Sequence, residues 1–471
     1  MELCQSVGMD NTHDLTQFRQ QVYQNFNKRA DTLMELLDAL CSNHNARHVV
    51  ELSLTAAFRR HYTALFQAIG EYRPQAGELA HLAAAHLPAP KKRAFWLIGV
   101  DVTSQPREYA FTLEERTFVY KPGVLKGNKP VTIGHQYSTA ALLAEKDADT
   151  PVPWVVPLSC ERVPAEERKF EVGKEQIDAL LSDPQMPFHG QLVVEVADSD
   201  YARPDYLAAH RKHPNLVTIV RSRSNRVVYR QNERSAAETG GAPGHYGTAF
   251  RLRDDATWHT PDDALEFPFV SRRGKRYTAH IQTWHNMLMR GKNKPHRLRM
   301  HQYPFALVRI VLLDENGQPA FKRPLWLLVF GERRHKLSLQ DVYEAYIQRS
   351  DLEHFFRFGK QKLLLDKFQT PETVHEEHWW LLAHLAYLQL WVARHSAATT
   401  PRPWEKYLPH YKQGKATPSS VQRDFERLLR TFGTPARPPK PRGKSPGRAK
   451  GTRLPPRKRH KVLKKSASPA S

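Results

Sequence analysis

The chain opens with a long helical pattern. Leu15, Phe18, Val22, Phe26, Leu33, Leu36, Leu37 and Leu40 recur at mostly helical spacing. This predicts helix over 14–41, with Thr12 or Asp14 capping its start. A second helical stretch covers about 51–70 and contains the pair Arg59-Arg60; a third, short one runs from Glu78 to Leu87. The basic linker Pro88-Ala89-Pro90-Lys91-Lys92-Arg93 follows, and the pattern then changes. Ala94 to Thr103 reads as a buried strand, its apolar run ending in Asp101. Tyr109–Thr112 and Thr117–Tyr120 read as a hairpin, Trp154–Leu158 as a strand and Lys174–Leu181 as a helix. Gln191 to Tyr201 is a second buried strand, running into the acids Asp198 and Asp200. Arg203–His210 then reads as a helix and Leu216–Val220 as a strand.

From about 222 to 324 the pattern is less regular, with many Arg, Gly and Pro breaks and one clear strand at Phe305–Leu313. Leu325–Phe330 is a strand, Leu337 to about Leu365 a single long helix, and Thr373 to about His395 a further apolar helix. These elements predict an α/β fold, a mixed sheet flanked by helices. They divide the chain into a helical N-terminal block (1–90), the first part of a core (91–221), a β-rich insertion (222–324), the second part of the core (325–395), a C-terminal helical region (396–434) and a tail (435–471). The N-terminal block has the size of a helix-turn-helix-like DNA reader and is expected to bind DNA, with a dimerisation or packing domain as the alternative. The tail holds 13 Lys and Arg and no Asp or Glu, so it is expected to be disordered and to attract phosphates without regard to sequence.

Charge narrows the function. The 471 residues carry 71 Lys and Arg against 48 Asp and Glu, a formal net charge of +23, which points to a polyanionic partner, most commonly nucleic acid. No apolar run approaches the ~18 residues a membrane span needs. The Met1-Glu2-Leu3-Cys4 start lacks the basic and apolar regions of an export signal, so a cytoplasmic, nucleoid-associated protein is expected. Three scattered Cys exclude a disulfide framework and a Cys-based zinc site. No Gly-rich phosphate loop is present, so ATP use is not indicated.

The chemistry concentrates in Tyr346-x2-Arg349-x3-Glu353-x6-Lys360. On a continuous helix these four side chains fall within an arc of roughly 60°. Ala345, Leu352, Phe356 and Leu363 would dock the adjacent face. A lone carboxylate among phosphate-seeking groups suits a metal-dependent enzyme acting on a nucleic-acid backbone; a solvated face with Arg349–Glu353 pairing is the alternative.

The pattern resembles the signature of bacterial insertion-sequence transposases, the DDE (Asp-Asp-Glu) cut-and-paste enzymes of the insertion-sequence-four type. The resemblance implies a ribonuclease-H-like core with Asp101, Asp198 and Glu353 as catalytic, metal-binding acids. Asp198 is preferred over its neighbours Glu195 and Asp200 because Asp198-x-x-Tyr201 follows an apolar strand. It also implies two Mg2+ ions, with Mn2+ able to substitute, and double-stranded DNA as substrate, both transposon ends and target, handled by a homodimer. Tyr346, Arg349 and Lys360 would hold that DNA, and Trp326 would stack on a flipped base, with Trp258 and Trp284 as weaker candidates. A related nuclease that does not join DNA and an inactive DNA-binding derivative remain as rival readings.

Overall fold

The computed structural model describes residues 2–121, 130–146, 152–232, 244–271, 274–291, 298–399, 416–441 and 455–464, with a few single residues and short pieces between the last segments. In chain order its main elements are helices α1 (Glu2–Asn25), α2 (Ala30–Cys41), α3 (Tyr62–Glu71) and α4 (Glu78–Ala84), then strands β1 (Trp96–Pro106), β2 (Thr117–Tyr120), β3 (Val131–Leu143) and β4 (Val155–Val163). Next come α5 (Lys169–Ser182), β5 (Val193–Ala197), α6 (Pro204–Ala209), β6 (Leu216–Arg221), β7 (Val227–Gln231), β8 (Tyr246–Arg251), β9 (Asp263–Val270), β10 (Arg276–Leu288), β11 (Phe305–Leu313) and β12 (Leu325–Phe330). Helices α7 (Leu339–Gln348), α8 (Ser350–Lys362), α9 (Thr373–Thr399) and α10 (Pro418–Phe432) close the chain. The fold is mixed α/β, with strands of both orientations and flanking helices, as a ribonuclease-H-like DDE core requires. No helix among the described residues is long and apolar enough to cross a membrane.

The chain forms two compact units, and neither follows one continuous segment. The first comprises the described residues of 1–88, 102–169 and 351–464; the second comprises those of 89–101 and 170–350. Strand β1 passes from the second into the first after Asp101.

In the first unit α9 is the central post. Trp379, Trp380, Leu382, Leu385, Leu388, Leu390 and Trp391 are all fully buried, so the helix is apolar round its circumference and needs cover on every side. Helices α1, α2, α3, α4 and α10 and strand β4 supply it. The N-terminal helices are therefore built into this unit rather than standing apart from it. Arg59 and Arg60, which sequence placed in a helix, bind the buried Glu35 carboxylate at 2.7 and 3.3 Å. The predicted 14–41 helix is two helices, because the chain turns between Asn25 and Ala30 with Arg29 in the left-handed region (φ 53°).

The long strand β3 escaped the sequence reading because polar residues, Thr132, His135, Ser138 and Thr139, interrupt its buried positions. It pairs antiparallel with β2 and β4. His135 Nδ1 lies 2.7 Å from Glu376 on α9, and the Tyr137 hydroxyl donates to the same carboxylate at 3.0 Å. Burying such groups is tolerable only because they satisfy one another. Conversely, Tyr109–Thr112 forms turns, not a strand. The basic tail is held at two places. The Arg437 N–H donates to Asp31 at 2.9 Å, and residues 455–464 run beside β2.

In the second unit the strand order is β1-β5-β6-β12-β11-β10-β7-β8, with β9 also on β10. β1, β5 and β6 are parallel; β12, β11 and β10 continue antiparallel. The β-rich stretch 222–324 thus extends the sheet through β11. Helix α7 lies against β5 and β6.

One glycine is dictated by packing. A Cβ on Gly134 of β3 would lie 2.0 Å from the Gln105 carbonyl oxygen, so the two strands could not keep their approach. Gly134→Ala is expected to destabilise the protein by about 3 kcal/mol or more, at or beyond the upper end of overpacking costs. Urea denaturation measures it; a loss under about 0.5 kcal/mol would show that the strands yield easily.

Candidate active site

The site is built by register. Gly99 of β1 pairs with Val196 of β5, and Ala197 of β5 with Val220 of β6. Carrying both ladders forward sets Asp101 beside Asp198 and Asp198 beside Arg221. Neighbouring strands lie about 4.8 Å apart. Asp101 in the middle of β1, Asp198 one residue past β5 and Arg221 at the end of β6 therefore fall in one row across three parallel strands; β1 does not end at Asp101, as its apolar run suggested, but continues to Pro106. The runs beneath them, Leu97 to Val100, Val193 to Ala197 and Leu216 to Val220, are buried on both faces, the polar Glu195 and Thr218 included. The sequence reading missed Arg221, although the signal was the one that found the acids: a charged residue ending an apolar strand.

Helix α7 brings two more groups to this edge. Ser338 caps it in a reciprocal box with Asp341. At its far end Tyr346 is 7% exposed. Burial raises its phenol above the ordinary value, opposed by Arg349 and Arg221 and reinforced by Asp198, so the hydroxyl stays protonated and able to donate. The Arg349 guanidinium donates to Asp101 Oδ2 at 2.9 Å and lies 6.0 Å from the Tyr346 ring centroid.

The expected single helix from Leu337 to Leu365 is broken at Arg349. Its N–H bonds to the Tyr346 carbonyl at 3.1 Å, one residue short of helical spacing, and the Ser350 hydroxyl donates to the Ile347 carbonyl at 2.9 Å. Tyr346 and Arg349 belong to the compact unit that holds Asp101 and Asp198; Glu353 and Lys360 belong to the other. In that unit α8 docks through Leu352, Phe355 and Phe356 and leaves Glu353 exposed. Lys360 Nζ donates to the Ser104 carbonyl at 2.8 Å, and burial lowers its pKa below that of a free lysine. The acid two residues before Glu353 serves the packing instead, since Asp351 is fully buried and lies 3.2 Å from Lys146 Nζ.

The competitors of Asp198 are separated by their surroundings. Glu195 is fully buried and points to the opposite face of β5, where it accepts from the Tyr206 hydroxyl and, at 2.9 Å, from Thr218 Oγ1; His210 Nδ1 lies 3.1 Å away. Asp200 pairs with Arg223 at 2.5 Å. Asp198 Oδ1 accepts the Asp200 N–H at 2.7 Å, fixing the turn after the strand.

Trp326 departs from expectation. It is 1% exposed, walled by Phe250, Trp258 and Trp284 at centroid distances of 5.3–6.0 Å. No face of its ring is open to a base, because its strand lies inside the sheet and its apolar side chain belongs to the core. Trp284 is buried as well, and Trp258 is partly covered by the Arg309 guanidinium 5.0 Å from its centroid.

Among the described residues, no three His, Cys, Asp or Glu side chains form a ready-made metal nest. The Asp101–Asp198 pair nonetheless suits a hard divalent cation. Both are carboxylates, the preferred donors of Mg2+, and the row already draws a cation in Arg349.

The two kinds of acid should respond differently to substitution. Glu195→Ala leaves Tyr206, Thr218 and His210 facing a vacated polar hole and is expected to cost about 3–5 kcal/mol. Asp198→Asn keeps the shape of a partly exposed turn and should cost less than about 1 kcal/mol. Thermal or urea unfolding of both variants decides; equal costs would mean that Asp198 is structural too.

A family model described as DDE superfamily endonuclease matches residues 21–291. No curated protein matches the chain. The match takes in Asp101, Asp198 and Arg221 and ends before Trp326, Tyr346, Arg349, Glu353 and Lys360. Because it spans more than half of the 471 residues, the chain belongs to the DDE superfamily endonucleases.

Proposed function

We propose that the protein is a DNA transposase of the insertion-sequence-four-like group, cutting and joining the ends of an insertion sequence by phosphodiester hydrolysis and transesterification. The observation that carries this reading is the row Asp101, Asp198, Arg221 on adjacent parallel strands. The DDE endonuclease family, the +23 charge and the complete Tyr346, Arg349, Glu353, Lys360 signature support it.

In this reading Asp101, Asp198 and Glu353 hold the divalent ions. Mg2+ held by these residues would supply Lewis-acid activation of the attacking hydroxyl and charge stabilisation at the leaving oxygen. The remaining work falls to the chain. Arg349 and Arg221 set positive charge beside the scissile phosphate. The buried Tyr346 phenol, protonated throughout the physiological range, donates to a phosphate oxygen. Lys360 holds the backbone nearby, and the sheet keeps the acids rigid while DNA is exchanged. Two ends must be cut and joined together, which calls for a homodimer.

The deciding experiment incubates purified protein with its own flanking element ends and Mg2+ and maps cut and joined strands. Cleavage at the ends followed by strand transfer is expected. Asp101→Asn, Asp198→Asn and Glu353→Gln should each lower cleavage by about 10³-fold or more while end binding persists. Full activity in Glu353→Gln would sink the three-acid assignment. Cleavage without joining would identify a nuclease, and binding without cleavage an inactive derivative.

Lys360 gives a second test. Lys360→Ala should weaken end binding and lower the salt slope by about one. Because its pKa is lowered, Lys360 loses its proton at a lower pH than a surface lysine does. The affinity difference between wild type and variant should therefore shrink as pH rises, before surface lysines titrate. A difference that stays constant up to about pH 10.4, the ordinary lysine value, would remove Lys360 from the DNA contact.

A further inference from the structure

The hairpin of β2 and β3 carries a surface that the acid row does not use. Alternation in β2 buries Thr117 and Val119 and turns Phe118 and Tyr120 outward, 49% and 59% exposed. Across the antiparallel ladder Phe118 faces Ile133 and Tyr120 faces Val131, so four apolar side chains share one face. Tyr109 and Phe111, in the turns before β2, are exposed too. A sheet edge ordinarily carries charge to discourage association; this one carries aromatic rings.

Beside the hairpin lies the basic tail. The Leu463 N–H donates to the Arg116 carbonyl and the His460 N–H to the Phe111 carbonyl, both at 2.8 Å; Arg116 Nη2 donates to the His460 carbonyl at 3.2 Å. Leu463 bridges Thr117 in parallel, which seats Lys464 next to Phe118. Arg459 stands 4.8 Å over the Phe111 ring, and Arg457 pairs with Glu372 at 2.5 Å. Lys458, Lys461 and Lys464 are exposed along this pinned segment. The nearby acids are already engaged: Glu108 with Lys121 at 3.3 Å and Glu114 with His460 at 3.5 Å. The result is a row of aromatic faces with an anchored line of cations along one border.

We propose that this face binds DNA with unpaired bases, the bases stacking on Phe118 and Tyr120 and the backbone following the tail cations. The inference rests on the reading of the chain as a DNA-processing enzyme and adds where an opened strand is held. Aromatic platforms bordered by positive charge are how proteins bind single strands irrespective of sequence, each stacked base contributing about fivefold to a hundredfold in affinity.

The test measures fluorescence anisotropy of a labelled single strand and of the matching blunt duplex on the full chain. Phe118→Ser/Tyr120→Ser and a deletion of residues 455–471 are compared with wild type. Both serines replace exposed side chains, and circular dichroism verifies the fold. The double variant should lose about tenfold or more in single-strand affinity and keep its duplex affinity. Quenching of 2-aminopurine in the strand should disappear with it. The deletion should lower the salt slope on the single strand. Unchanged single-strand affinity and unchanged quenching in the double variant would overturn the proposal. So would reduced self-association in sedimentation with DNA binding intact, since the face would then join copies of the chain. Wild-type protein that binds neither DNA form would defeat the underlying DNA reading itself, whereas duplex binding with no single-strand stacking would defeat only this inference.

Discussion

Two carboxylates set level on neighbouring parallel strands repel each other, and the surrounding structure answers that repulsion. Asp101 and Asp198 are about one strand spacing apart by register. Neither can be withdrawn, because buried apolar runs fix both strands from below. Positive charge therefore gathers at this edge: Arg349 bonds to Asp101 at 2.9 Å, and Arg221 ends the next strand beside Asp198. Even the helix that delivers Arg349 is broken at that residue.

Elsewhere the protein treats carboxylates in the opposite way. Glu35, Glu195, Asp351 and Glu376 are fully buried, and each has a fixed partner: Arg59 and Arg60, Tyr206 and Thr218, Lys146, and His135 with Tyr137. Their role is to make the packing specific, since leaving any of them without partners would cost several kcal/mol. What distinguishes Asp101 and Asp198 is that they are partly open to solvent, Asp101 within β1 and Asp198 just past β5. Proximity in sequence does not tell the two kinds apart. Glu195 and Asp198 are three residues apart, yet the strand's alternation sends them to opposite faces.

The basic tail shows how composition and structure can differ in what they convey. Thirteen cations with no acids describe a segment that cannot build a core. Part of it nevertheless docks, through backbone hydrogen bonds to Phe111 and Arg116 and one bridge to Thr117. Edge strand β2 offers unpaired peptide groups, and any nearby extended chain can satisfy them whatever its side chains.

The sequence by itself determined the α/β class, several strands to the residue, such as Phe305–Leu313 and Leu325–Phe330, and the apolar runs that lead to Asp101 and Asp198. Continuous apolar runs ending in a charge are a local signal, and nothing distant is needed to see them. Tertiary structure alone decided the rest. It set the register that aligns Arg221 with the acids, and it broke the signature helix at Arg349. It buried Trp326 beneath Phe250, Trp258 and Trp284, and it wove the N-terminal helices around α9. It also hid β3 from periodicity, since the buried polar groups of that strand are tolerated only because distant partners such as Glu376 and His384 meet them. Pairings between residues hundreds of positions apart leave no periodic trace in the chain, which is why they become legible only once it is folded.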